Sequence, residues 1–236
     1  MEQKDIKRLI KVLIVVGASL LLIVIVKPQN YIKISDSSPA EKKIFDTSQY
    51  EWQDKNDAEK YKNATWNTIK ESRLSGLTSV GDIIVEKEIA CYWSEEPCLS
   101  LILKEDEYLR VEGGLGSRYY FLEVTKNGET QTVKSLEELR KFFAPVDNEI
   151  KAMSFIGVTE NDLRSRLNNG EYTLVGEITM IDDGFLVQVV KNNTFGCGRH
   201  DPQRVIFKIT KAGTIAVIAV EMLPPEPENT PHACVD

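Results

Sequence analysis

Histidine is nearly missing from this 236-residue chain, which has only His200 and His232. Gly-x-Ser-x-Gly, His-Glu-x-x-His, Cys-x-x-Cys and the Walker pattern are missing altogether. Their absence removes the signatures of nucleophile-elbow hydrolases, helical zinc proteases, dithiol redox proteins and P-loop NTPases. An excess of positive charge is also missing: the formal net charge is −7. Nucleic acid and anionic lipid both demand a cationic face, so neither is an expected partner. Cysteine is sparse, at four residues, and long apolar runs are limited to one.

That run covers residues 9–26, LIKVLIVVGASLLLIVIV, with Lys11 as its single charge. At 1.5 Å per residue it makes a helix of about 27 Å, enough to span a thin bilayer. Lys4, Lys7, Arg8 and Lys11 crowd its N-terminal side, so the positive-inside rule leaves the N-terminus in the cytoplasm. No small-x-small cleavage site follows the run, which reads as an uncleaved signal anchor. The expected organisation is a cytoplasmic N-terminus at 1–8, a single-pass transmembrane helix at 9–26, a stalk at 27–53 and an exported domain at 54–236. That domain is placed in the periplasm or outside the cell. Residues 1–27 carry net +3, and subtracting this from −7 leaves −10 on the exported side.

Within the domain the pattern predicts an α+β fold. Ala58, Tyr61, Thr65 and Ile69 recur at helical spacing, predicting a helix over 54–74 that Gly76 stops. Residues 82–86, 99–103, 108–111 and 119–124 are rich in strand formers, and Asn127-Gly128 is a two-residue hairpin signal. Gly113-Gly114-Leu115-Gly116 lies between strands and lacks a following Lys-Ser/Thr, so it reads as a turn, not a phosphate loop. Ser135-Leu136-Glu137-Glu138 is a capping box, and short helices at 135–144, 147–155 and 159–167 predict a helical insert. Residues 172–222 alternate apolar and polar side chains between tight turns, predicting a four-strand antiparallel meander. The proline-rich tail at 223–236 is irregular.

Cys91, Cys98, Cys197 and Cys234 all fall on the expected exported side, where an even count suggests disulfides, with 91–98 and 197–234 the economical pairing. The first would staple a loop displaying Tyr92, Trp93, Glu95 and Glu96, a preordered binding element. Around the second, both histidines lie within three residues of a cysteine. Three arrangements fit: a tail-tethering disulfide, a zinc site of Cys197, His200, His232 and Cys234, or a Cys197 nucleophile with a histidine base. Carboxylate pairs Glu95/Glu96, Glu137/Glu138 and Asp182/Asp183 have simpler roles in a loop, a helix first turn and a turn.

The string Gly196-Cys197-Gly198-x-His200, followed by Val205, the Gly213 turn and terminal Cys234-Val235-Asp236, resembles a pattern of uncharacterised exported bacterial proteins. The resemblance covers about the last 40 residues and implies an envelope location and a structural disulfide, with no activity attached. The overall expectation is a non-enzymatic binding or accessory module with an envelope protein partner and no cofactor. The alternative is an envelope enzyme, zinc-dependent or otherwise.

Overall fold

The computed structural model describes residues 43–79, 82–92, 107–112, 116–161, 163, 165–168, 171–192 and 202–224. Twelve strands and three α-helices appear among them. In chain order these are β1 (Lys43–Ile44), a 3-10 turn (Thr47–Gln49), β2 (Glu51–Trp52), α1 (Lys55–Tyr61), β3 (Thr65–Ser72), β4 (Ile83–Tyr92), β5 (Arg110–Glu112), β6 (Gly116–Lys126) and β7 (Glu129–Val133). They continue with α2 (Leu136–Phe143), α3 (Glu149–Thr159), β8 (Ser165–Asn168), β9 (Glu171–Ile181), β10 (Gly184–Lys191), β11 (Gln203–Thr210) and β12 (Ile215–Met222).

The strands form two antiparallel sheets. The larger runs β1-β3-β9-β10-β11-β12-β2, with β8 beside β9; in the smaller, β6 lies between β4 on one side and β5 and β7 on the other. In the meander β9-β10-β11-β12, glycines supply the backbone freedom that the β9–β10 and β11–β12 reversals need. Gly184 and Gly213 both adopt positive φ, at 157° and 81°. Asn127 and Gly128, at φ 54° and 83°, reverse β6 into β7 as a primed two-residue turn. One extra residue, Ile218, interrupts the β11–β12 ladder between the Ile206–Ala219 and Phe207–Val217 pairs, a bulge in β12.

Helix α3 is the hub. Seven consecutive residues, Ala152 to Val158, are buried, as a helix without a polar face must be. Asn148 caps its N-terminus by accepting from Lys151 N–H at 2.8 Å. Gly176 of β9 lets the sheet approach Met153, and Gly76 brings the β3–β4 connection against the α3 backbone at Ile150 and Lys151. Leu122, Val124 and Val133 of the small sheet and Ile178, Val187, Phe207 and Ile209 of the large one share a single core with α2 and α3. A buried ion network reinforces the junction. Arg110, 1% exposed, pairs Glu86 at 3.1 Å and Glu112 at 2.9 Å, and donates to Gly157 O near the C-terminus of α3 at 3.3 Å. A cation there satisfies an otherwise orphaned carbonyl and complements the helix dipole.

Several expectations need correcting. The α+β reading gives too much weight to helix: antiparallel sheet dominates, and the three α-helices are short. The helix expected over 54–74 ends at Tyr61, and residues 65–72 form β3. Thr65, Trp66, Thr68 and Ile69 suit a strand better than a helix; the first two pair with β1 and residues 67–72 form a ladder along β9. In the insert, α3 continues to Thr159 and residues 165–168 pair with β9. Residues 43–52, expected within a stalk, are integrated into the large sheet.

No helix among the described residues is long and apolar enough to cross a membrane. The single-pass topology, the signal anchor and the location derived from them are therefore not supported; residues 9–26 lie outside the described residues. Among those residues no disulfide is at bonding distance either. Cys91 is buried on β4 opposite Ser117, packed in a small cluster with Tyr119. Its expected partner Cys98, and Cys197 and Cys234, lie outside the described residues. A small, weakly polar thiol suits this buried position.

Candidate functional site

The large sheet turns one face to α3 and the other to the segment 43–52, which crosses it as a strap. At one end β1 pairs with Thr65 and Trp66; at the other, β2 pairs with Ala219 and Val220. Between them Asp46 caps the 3-10 turn by accepting from Ser48 N–H at 2.9 Å, and hydrogen bonds from the Ser48 side chain and then its backbone hold the Asp46 carboxyl below the usual range. The strap, helix α1 and β3 bring five aromatic rings together. Phe45 lies 5.2 Å from Tyr50 and 5.5 Å, edge-on, from Trp66; Trp52 lies 6.2 Å from Tyr50 and stacks on Tyr61 at the same distance. Leu186, Ile206 and Ala219 form the floor beneath them.

Beside this aromatic cover runs a row of polar side chains. Glu177 and Gln188 are directly opposed on β9 and β10, and Arg204 and Glu221 on β11 and β12. Tyr50 Oη donates to Gln188 Oε1 at 2.8 Å, Gln188 Nε2 donates to Glu177 Oε2 at 3.2 Å, and Arg204 Nη1 donates to Glu221 Oε2 at 2.6 Å. Arg204 also faces the Phe45 ring, its Cζ 5.9 Å from the centroid. Burial pushes the Tyr50 phenol well above the ordinary tyrosine range, the Arg204 cation opposing and the Glu221 anion adding. Tyr50 is therefore a fixed neutral donor at neutral pH.

At the rim Lys208 pairs with Asp183 at 2.8 Å, and this hydrogen bond raises the lysine and lowers the aspartate. Such an arrangement holds donors and acceptors in fixed positions beside the partly exposed rings of Phe45 and Trp52. No family model, curated protein or solved structure matches the chain. Its function is therefore read from this geometry.

The residues singled out by sequence do not meet here. Tyr92 ends β4 opposite Gly116, in the other sheet. Trp93, Glu95 and Glu96 lie outside the described residues, as do Cys197, His200, His232 and Cys234. Among the described residues, no group of three or more His, Cys, Asp or Glu is placed to hold a metal ion. Glu137 and Glu138 sit in the first turn of α2, where Ser135 and Glu138 complete the capping box.

Tyr50, Glu177, Gln188, Arg204 and Glu221 belong to no sequence motif. One signal was there to find: Gln188 interrupts Phe-Leu-Val-Gln-Val-Val on a strand that is otherwise apolar on both faces. A buried amide in such a strand requires partners, which Tyr50 and Glu177 provide.

Proposed function

We propose that this chain is a non-enzymatic binding module that recognises a protein partner through the polar row and the aromatic cover beside it. One observation carries the reading: side chains from the strap and four successive strands converge as hydrogen-bonded donors and acceptors on one sheet face. The row presents the partly exposed Glu177 carboxylate and the Arg204–Glu221 ion pair, with the buried Gln188 and Tyr50 holding Glu177 in place, a set of charges that complements the charged side chains of a polypeptide. Its phenol is held protonated, which suits donation and not proton transfer near neutrality.

The test is quantitative capture by the immobilised chain from source-cell extract, comparing wild type with Arg204→Gln and Glu177→Gln. Each variant is first shown to be folded by near-ultraviolet circular dichroism. Loss of a specific partner by at least tenfold in either variant supports the reading. Undiminished capture in both refutes it.

A further inference from the structure

The strap is held differently from the strands it covers. Its ladders comprise two residue pairs at each end, Lys43–Trp66 with Ile44–Thr65 and Trp52–Ala219 with Glu51–Val220, whereas β10 and β11 share eight. One further backbone bond, Gln53 N–H to Ile218 O at 2.9 Å, engages the bulged residue of β12. The rest of its hold is side-chain packing by Phe45, Thr47, Tyr50 and Trp52 and the Tyr50 Oη hydrogen bond to Gln188 Oε1 at 2.8 Å.

A second observation lies beneath it. Trp66, 1% exposed, is covered by Phe45, and its indole Nε1 has no hydrogen-bond partner among the described residues. A buried donor left unsatisfied carries a desolvation penalty that hydration would relieve. Lifting the strap would relieve it, while the α3 core on the opposite face of the sheet shares no residue with the strap's cluster.

We propose that residues 43–53 form a strap that opens as a unit, uncovering Trp66 and the edges of β3 and β12 while the two-sheet core stays folded. Short ladders make the opening inexpensive relative to global unfolding, and the orphan indole lowers its cost further. Because the strap carries Tyr50, opening also withdraws the phenol from Gln188. This behaviour is independent of any partner.

Native-state hydrogen exchange on the whole chain tests it, following the Gln53 amide, the Trp66 indole N–H and the Val187 amide at the centre of β10. Gln53 and Trp66 are expected to share one opening, with exchange at least tenfold faster than at Val187 after correction for intrinsic rates. Ile178→Val, a core substitution away from the strap, is expected to speed exchange at Val187 roughly fivefold and leave the other two unchanged. Exchange of all three through a single opening, rising together in Ile178→Val, would overturn the proposal. So would protection of the Trp66 indole equal to that of Val187.

Discussion

At the scale of single residues, burial holds Tyr50 and Tyr120 protonated, and a buried arginine leaves little tolerance for truncation. The Tyr50 phenol is raised far above its ordinary range, and Tyr120 is pushed up to about 12 by burial and by its hydrogen bond to Glu112. An unfolded tyrosine ionises near pH 10, so above that pH the unfolded chain binds fewer protons than the folded one. The stabilisation is complete below about pH 10 and is lost as pH rises through the folded values. Urea unfolding at pH 8 and pH 11 should show a drop in stability between them that Tyr50→Phe reduces. At pH 8 the same substitution should cost about 1 kcal/mol for the lost hydrogen bond. Arg110 is the more severe case. Its guanidinium also lies 4.0 Å from the centroid of the Tyr120 ring, and Arg73 joins the network by pairing Glu86 at 3.1 Å. Arg110→Ala would leave Glu86 and Glu112 short of their buried cation, so a loss of about 3 kcal/mol is expected in denaturant unfolding at pH 7.

Among the elements, α3 and its glycine contacts set the spacing of the two sheets. A Cβ at Gly76 would collide with the backbone of α3, 2.5 Å from Lys151 Cα, and backbone cannot step aside as a side-chain tip can. Gly76→Ala should therefore destabilise by about 2 to 3 kcal/mol in chemical unfolding, despite alanine's stiffer backbone in the unfolded chain. The same elements show what the sequence could reveal. Asn127-Gly128 and the Ser135 capping box were legible because a few adjacent residues determine each of them. The alternation from Tyr172 to Met222 was legible because most of its strands bury one face more deeply than the other. Strand β3 was not, since Tyr61, Thr65 and Ile69 mimic helical spacing while only the distant β9 decides that residues 65–72 extend. The strap was equally hidden: residues 43–52 show no period because their partners, β3 and β12, are remote in sequence. The polar row draws on the strap and four strands, and only Gln188, polar in an apolar run, marked it locally.

For the whole molecule, the two sheets share one core through α3, while the strap's aromatic cluster forms a separate one on the far face of the large sheet. That division places the α3 core on one side of the sheet and the strap with the polar row, the proposed recognition surface, on the other. A substitution in the polar row should therefore impair partner capture without loosening the core, whereas one in α3 should loosen both. The most direct measurement compares partner capture by Arg204→Gln and Glu177→Gln with capture by Phe142→Ser. Phe142 is an exposed residue of α2 that belongs to neither the polar row nor the aromatic cover. The binding account predicts at least a tenfold loss in one or both row variants, with capture by Phe142→Ser and by the wild type equal. Equal capture by all four folded proteins would contradict it.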